Sequence, residues 1–133
     1  MILLDTHVLV WFAEDNPHLG RKTANLTDAA LQRDEVTVAA ISFWEIAMLA
    51  QKGRLRLEVS PSALRRKTLE QGIDEVALSG EIGIAAAQLA DFHGDPTDRM
   101  IVATALSIGA TLITADESIL HWHKRLKTHD ARR

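Results

Sequence analysis

The sequence predicts one α/β domain over residues 1–133, a three-layer α/β/α sandwich with a short central parallel sheet. The length of 133 residues corresponds to a single domain of ordinary size. Short, wholly apolar runs alternate along the chain with segments of helical periodicity, which is the order expected of βαβ units. Apolar strands of this kind are covered on both faces by helices. No repeat, low-complexity tract or linker divides the chain, so we expect one core.

The first half of the chain contains two predicted strands and three predicted helices. The apolar run at 2–4 indicates a strand, and Thr6 is placed as the N-cap of an amphipathic helix that ends before Asn16 and Pro17. The other elements of this half are a helix at 21–32, a β-branched strand at 36–38 and a helix that begins at Ser42 and ends before Gly53.

The second half continues the alternation. Pro61 and Pro96 stand at the first positions of two helices, where the missing amide hydrogen of proline costs nothing, and Gly109 ends the second. The remaining elements are a weak strand at 76–78, an alanine-rich helix at 79–90, the clearest strand of the chain at 110–114 and a short helix at 117–122. The last ten residues are basic and lack the pattern of a strong final strand.

The composition excludes several classes of function. The 15 Lys and Arg residues against 18 Asp and Glu give a net charge of -3, which taken alone argues against a nucleic-acid partner. The absence of cysteine excludes disulfides, thiol catalysis and thiolate metal sites. There is no signal-peptide pattern, and no apolar run approaches the roughly 18 residues of a membrane span. We therefore expect a cytoplasmic protein with no membrane partner.

Four acidic residues fall where the ligand site of a parallel sheet is expected. Asp5 directly follows the first strand, and Asp116 lies two residues after the strand at 110–114. Glu45 and Asp98 lie in the first turns of two predicted helices, and helices of βα units begin at this same edge of the sheet. Ligands of open α/β sheets bind outside the carboxyl ends of the strands. The sequence therefore predicts that these four carboxylates converge.

Each acid also has a purely structural interpretation. Glu45 follows Ser42 at the spacing of a capping box, in which it would only return a hydrogen bond to the start of the helix. Asp95 precedes Pro96 as a natural N-cap, and this is the role we prefer for it. A turn residue at Asp5 and a cap at Asp116 complete these alternatives, which the sequence leaves open.

The electrostatics of four converging carboxylates require a compensating charge. At separations near 5 Å and an effective dielectric of 20, each like-charge pair costs about 3 kcal/mol. A fold stable by roughly 5 to 15 kcal/mol cannot carry several such pairs, so protons or a cation must accompany them. Oxygen ligands select a hard ion, Mg2+ or Mn2+, as in the metal sites of nucleases and polymerases.

Four blocks of the sequence together resemble the PIN-domain ribonucleases, specifically the VapC toxins of type II toxin–antitoxin modules. The blocks are MILLDTHVLVW at 1–11, SFWEIA at 42–47, DPTDRMIVATA at 95–105 and LITAD at 112–116. As a set they cover most of the chain to about residue 120. Two departures stand out: Thr97 replaces the usual aromatic residue, and the basic tail lacks a clear final strand.

The resemblance implies a PIN-like fold and Mg2+-dependent endonucleolytic cleavage of RNA, with dimerisation and inhibition by a cognate VapB-type antitoxin. Carried over position by position, it implies that Asp5, Glu45, Asp98 and Asp116 form the acidic catalytic and metal-binding set. Asp5 and Asp98 would be direct metal ligands.

Further polar residues lie beside the four acids in the sequence. We place five in supporting positions around them: Thr6, Ser42, Asp95, Arg99 and Thr114. The hydroxyls would orient ligands or water. Arg99 follows a proposed metal ligand directly and is predicted to touch a phosphate or clamp a neighbouring carboxylate.

Other cations that could meet RNA are Lys52, Arg54, Arg56, Lys124, Arg125, Arg132 and Arg133, whereas the run at 65–67 is interpreted as a solvated face. His121 and His123 are two residues apart, which is not a zinc-binding spacing on a helix.

Two other functions compete with the ribonuclease. One is a phosphatase with Asp5 as nucleophile, although His7 stands where such enzymes need a second aspartate. The other is a catalytically silent RNA-binding or antitoxin-binding module whose acids serve as caps and as a structural ion site.

Overall fold

A five-stranded, wholly parallel sheet forms the centre of the molecule, as the computed structural model of the chain describes it for residues 1–122 and 125–133. The strands are β1 (Ile2–Leu4), β2 (Val36–Ala39), β3 (Asp74–Val76), β4 (Thr111–Thr114) and β5 (Thr128–Asp130), in the spatial order β3-β2-β1-β4-β5. The helices are α1 (Thr6–Ala13), α2 (Arg21–Gln32), α3 (Ala40–Gln51), α4 (Pro61–Glu70), α5 (Gly80–Ala87), α6 (Pro96–Ile108) and α7 (Glu117–Leu120). The prediction of an α/β sandwich with a short parallel sheet is confirmed.

The three layers follow from the alternation of side chains along the central strand. Leu4 of β1 packs into an apolar core with Ile46 of α3, whereas Leu3 packs on the opposite face with Ile101 of α6 and Leu112 of β4. The first core also takes in α1, α2 and α4, and the second takes in α7. Because both faces of β1 are sealed by helices, the strand can be apolar at every position.

Two helices begin earlier than the sequence predicts. Asp5, not Thr6, is the N-cap of α1, and its side chain accepts a hydrogen bond from the Thr6 amide. The helix α3 starts at Ala40, with Ala39 as an N-cap that makes no side-chain bond. Ser42 therefore lies inside the helix, where its hydroxyl accepts a hydrogen bond from the Thr6 hydroxyl instead of capping. The capping-box interpretation of Ser42 and Glu45 is wrong.

Two strands also differ from the expectation. The strand β3 covers Asp74–Val76 instead of 76–78, because pairing with β2 sets its register and leaves Leu78 exposed. The basic tail does form a final strand, β5, which pairs in parallel with β4. The sequence pattern of β5 is weak because the strand is held by pairing with β4 and not by an apolar run of its own. One of the pairing bonds is donated by the Leu112 amide to the Lys127 carbonyl at 2.9 Å.

The C-terminal segment closes against the start of α2. The Gly20 amide donates to the Ala131 carbonyl at 2.9 Å, and the Thr23 amide donates to the Arg133 carbonyl at 3.1 Å. A Cβ at Gly20 would lie 1.6 Å from that Arg133 oxygen, so only glycine fits this crossing. His123 and Lys124, named in the sequence analysis, lie outside the described residues. Within the described ranges, no helix is long and apolar enough to cross a membrane.

Candidate active site

Five carboxylates lie at the carboxyl edge of the sheet, and we call them together the acidic edge: Asp5, Glu45, Asp95, Asp98 and Asp116. The sheet places Asp5 directly after β1 and Asp116 two residues after the neighbouring β4. The helices α3 and α6 pack against each other. Asp95 and Asp98 lie at the start of α6. Glu45 is not in the first turn of α3, where the sequence predicted it, because the helix begins at Ala40 and not at Ser42. The parallel topology thus brings together the four acids that the sequence singles out, with Asp95 beside them.

Asp5 is held by a hydrogen bond on each carboxylate oxygen. Its Oδ1 accepts from the Thr6 amide at 2.8 Å, and its Oδ2 accepts from the Thr114 hydroxyl at 2.6 Å. Only 9% of the residue is exposed. Burial raises the pKa of this carboxyl, and the charge of Glu45 adds to the effect, while the two hydrogen bonds oppose it.

Thr114 connects the acids that follow β1 and β4. Its hydroxyl donates to Asp5 and accepts from the Asp116 amide at 3.0 Å, and the residue is fully buried. A single hydroxyl therefore fixes the spacing between the end of β1 and the turn that carries Asp116. Thr6 and Ser42 make a similar connection between α1 and α3, with 3.0 Å between their hydroxyl oxygens.

The other side of the acidic edge is the acidic cluster, which consists of Glu45, Asp95 and Asp98. One oxygen from each lies within 4.8 Å of the others, close enough for all three to bind one metal ion. Burial, which is the largest cause, and the nearby charges of Asp95, Asp5, Asp116 and Glu45 together raise the pKa of Asp98 to about 7. Repulsion among these carboxylates therefore contributes to the raised pKa of Asp98.

Capping explains part of the arrangement. The Oδ1 atom of Asp95 accepts from the Asp98 amide at 2.9 Å, so the predicted N-cap role is confirmed, although the same residue also belongs to the acidic cluster. Asp116 caps α7, where its Oδ1 accepts from the Ile119 amide at 3.1 Å and from the Ser118 hydroxyl at 2.5 Å. Glu45 has no capping role, because α3 begins five residues before it.

The sequence predicts that Arg99 touches a phosphate or clamps a neighbouring carboxylate. In the structure, its side chain binds no carboxylate of the acidic edge. Its guanidinium donates to four backbone carbonyls around the end of α5 and the loop that follows it, those of Ala86, Ala87, Leu89 and Phe92. It also lies 5.9 Å from the centre of the Phe92 ring. With these donors committed, Arg99 fixes the loop that leads to Asp95 and is not free for a phosphate. No sequence motif indicates this role, because backbone carbonyl partners leave no pattern of side chains.

The donor set of the acidic edge fits a hard divalent cation. Within the described residues, no lysine or arginine side chain forms an ion pair with any of its five carboxylates. All the converging groups are carboxylate oxygens, which are the ligands that Mg2+ and Mn2+ prefer. Asp98, Glu45 and Asp95 can share one ion, with Asp5 and Asp116 lining the same edge.

The chain is similar to proteins of one family over nearly all its length. Residues 2–124 match the sequence profile of the PIN domain. Ribonuclease VapC22 of Mycobacterium tuberculosis is 33% identical over 129 residues, which cover 96% of this chain and 91% of that protein.

Solved structures share the fold at lower sequence identity. A VapBC2 complex from Rickettsia felis, bound to a promoter DNA fragment, superposes with a TM-score of 0.71 at 16% identity, covering 97% of this chain and 98% of that chain. A toxin–antitoxin complex from Klebsiella pneumoniae gives a TM-score of 0.62 at 20% identity, covering 92% of this chain and 93% of that chain. At these identities the superpositions establish the architecture alone.

Proposed function

The chain belongs to the PIN-domain family, and we propose that it is a metal-dependent endoribonuclease, the toxin of a toxin–antitoxin pair, which cuts RNA at the acidic edge. The relationship to Ribonuclease VapC22 supports the reaction and the substrate class. The single observation that carries the proposal is the convergence of carboxylates, whose mutual repulsion helps to raise the pKa of Asp98 to about 7.

The proposed metal site uses Asp5, Glu45, Asp98 and Asp116, with Asp5 and Asp98 as direct ligands. Asp95 is close enough to be a further ligand. A bound Mg2+ or Mn2+ ion would lower the pKa of its bound water and neutralise charge on the phosphodiester oxygens. Mg2+ is the ion we propose, because its preference for carboxylates, waters and substrate phosphates matches an open, oxygen-only site.

The chain's own residues position the reacting groups. The Thr6 amide and the Thr114 hydroxyl fix the Asp5 carboxylate from two sides, so that it costs little reorganisation when a ligand arrives. Asp116 keeps Oδ2 free of bonds to the described residues while Oδ1 caps α7. That free oxygen is suited to accept a hydrogen bond from an attacking water.

Two protein partners belong to the same proposal. The structural neighbours include toxin–antitoxin complexes, and from them we infer a VapB-type antitoxin that inhibits this chain. We also propose a homodimer, supported by two large apolar side chains left open to solvent, Trp44 at 56% and Ile84 at 62% exposure. We also propose a cytoplasmic location, which a cellular RNA substrate supports.

The test is cleavage of total RNA by the purified protein with Mg2+, with Mn2+ and with a chelator. We expect cutting with either ion and none with the chelator. Asp98→Asn and Asp5→Asn should each lower the cleavage rate by on the order of 100-fold or more, because each removes a ligand of the ion that would compensate charge at the reacting phosphate.

The matched control is Asp28→Asn, the same change at an exposed position on α2. It should cut at the rate of the unaltered protein. Retention of metal-dependent cutting by both Asp5→Asn and Asp98→Asn would remove the acidic edge as the site, and binding of RNA without cutting under every condition would favour the silent module.

A further inference from the structure

Most cations near the acidic edge are already committed to other partners. The Arg99 guanidinium is taken by backbone carbonyls, and Arg132 binds Asp130 at 2.9 Å and Glu117 at 2.6 Å. Lys52 follows the C-terminal end of α3, about 10 Å along the helix axis from Glu45. Because α3 begins at the carboxyl edge of the sheet, this end of the helix points away from the acids. A nuclease must still hold the phosphates on either side of the bond that it cuts.

Two uncommitted cations meet at the junction between β5 and α2. Arg133 is fixed through its carbonyl oxygen, which accepts from the Thr23 amide at 3.1 Å and from the Thr23 hydroxyl at 3.2 Å. Lys22 is the neighbouring residue of α2, and the charges of Lys22 and Arg133 both act on the adjacent His129. Both side chains are exposed, and neither has an ion-pair or hydrogen-bond partner in the described part of the chain. We call them the Lys22–Arg133 pair.

The backbone places this pair beside the acidic edge. The Ala131 amide donates to the Thr114 carbonyl at 2.9 Å, and Thr114 is the residue whose hydroxyl binds Asp5. The Ala131 carbonyl in turn accepts from the Gly20 amide at the start of α2. Because neighbouring strands lie about 4.8 Å apart, β5 is about 10 Å from β1, on the side of the sheet that carries Asp116.

The local charges leave the pair positive. The two acids of this region, Asp130 and Glu117, are both bound by Arg132, which holds the end of β5 against α7. His129 contributes its Nε2 to the Thr23 hydroxyl at 2.9 Å. The side chains of Lys22 and Arg133 therefore have no carboxylate side-chain partner among the described residues, and they lie beyond β5, the strand next to the β4 that leads to Asp116.

We propose that the Lys22–Arg133 pair binds the phosphates of the RNA strand next to the cut site, so that the strand runs from the acidic edge across the end of β5 to the start of α2. The inference rests on the proposed function for the identity of the strand. RNA is favoured over an acidic protein segment because a phosphodiester held at the acidic edge has neighbouring phosphates within reach of the pair.

Binding of a fluorescein-labelled single-stranded RNA of about 12 nucleotides tests the proposal. The measurement uses fluorescence anisotropy with chelator present. All variants carry Asp98→Asn, so that the RNA is not cut and is repelled by one carboxylate fewer at the acidic edge. Adding Lys22→Ala and Arg133→Ala should reduce the slope of log affinity against log salt by about 1.4, since each single-strand phosphate contact contributes about 0.7. If the variant and its parent bind RNA equally at 1 M salt, this change in slope makes the variant's affinity up to about 25-fold weaker than the parent's at 0.1 M salt.

The matched control removes the same two charges at Lys52 and Arg54, beyond the far end of α3, and should leave the slope unchanged. Both double variants should melt at the temperature of their parent, because the bonds of Arg133 and Thr23 are made by the backbone and by Thr23 itself. An unchanged slope for the Lys22 and Arg133 variant, or an equal loss in the control, overturns the proposal.

Two further outcomes are informative. Weaker binding of a polyglutamate peptide with RNA binding intact overturns the proposal in favour of an acidic protein partner. Loss of RNA binding in the Lys22 and Arg133 variant supports it even where the otherwise unaltered protein cuts no RNA with metal, a result that would contradict the proposed function alone.

Discussion

The two sides of the acidic edge are built in opposite ways. On the side of β1 and β4, both oxygens of Asp5 accept hydrogen bonds, and Thr114 ties Asp5 to the turn that carries Asp116. On the side of α3 and α6, the side chains of Glu45 and Asp98 have no hydrogen-bond partner among the described residues, and their oxygens face each other within 4.8 Å.

This difference separates positioning from charge compensation. The hydrogen-bonded side is organised before any ligand binds, because its donors come from the backbone and from a buried hydroxyl. In the acidic cluster, only Asp95 is held by a side-chain hydrogen bond among the described residues, from the Asp98 amide, and the three carboxylates still repel one another. If these carboxylates bind a cation, as we propose, we expect relief of repulsion to favour binding on the side of α3 and α6, and Asp5 to be the most rigid ligand on the other side.

Thr114→Val should damage the organised side with the largest effect. The substitution keeps the shape and removes the hydroxyl, so that Asp5 Oδ2 and the Asp116 amide both lose a partner. We expect cleavage to fall by about 10- to 100-fold, the usual consequence of removing a group that orients a metal ligand. The measurement is the initial rate against Mg2+ concentration, and the half-saturating Mg2+ concentration should rise while the KM for RNA stays the same.

Thr114→Ser is the control for that substitution, because it restores the hydroxyl. It should recover most of the activity and the ordinary Mg2+ dependence. If the serine variant is as impaired as the valine variant, restoring the hydroxyl is not sufficient, and the loss of these hydrogen bonds does not by itself explain the effect.

Thermal stability without metal should distinguish the two sides with a smaller effect. Asp98→Asn removes a repelled charge and no side-chain hydrogen bond, so we expect the Tm to rise by roughly 2 to 4 °C in chelator. Asp5→Asn also removes a charge, but it replaces one of two hydrogen-bond-accepting oxygens with an NH2 group, which then faces a donor. The lost hydrogen bond offsets the gain in stability. Circular dichroism melts of both variants check the order, and a larger gain for Asp5→Asn would contradict the comparison.

The pH dependence of stability gives the smallest expected effect. In the folded protein the pKa of Asp98 is raised from an ordinary 3.8 to about 7, so between these pH values the folded state binds more protons than the unfolded state. The free energy of unfolding of the metal-free protein should therefore decrease as pH rises from about 4 to about 7, with a further contribution from Asp5. Urea midpoints at pH 5 and pH 7.5 measure it, and the decrease should be smaller in Asp98→Asn and in saturating Mg2+.

The sequence was sufficient for the parts of the molecule that depend on local pattern. The helix α6 was predicted at its bounds because Asp95, Pro96 and Gly109 mark its two ends, and Gly109 does adopt the left-handed conformation with φ 67°. The grouping of acids followed from one rule, that parallel strands present their carboxyl ends at one edge. Their roles as ligands stay a prediction.

Tertiary partners decided what the sequence did not. The strand β5 exists because β4 supplies its hydrogen bonds, and the shift of β3 reflects its register with β2. Ser42 has the spacing of a cap but binds Thr6, 36 residues away. Arg99 has the position of a phosphate ligand but binds carbonyls. In each case the residue type was compatible with both roles, and a neighbour distant in sequence selected one.

The hydrogen bond between Thr114 and Asp5 joins residues 109 positions apart, which has a consequence for biosynthesis. At translation rates of 5 to 20 residues per second, Asp5 waits roughly 5 to 20 s before Thr114 is made. Until then β1 lacks β4, the neighbour that pairs with it on one side, and the acidic edge is incomplete. The nascent chain therefore cannot complete its own acidic edge until translation is nearly over.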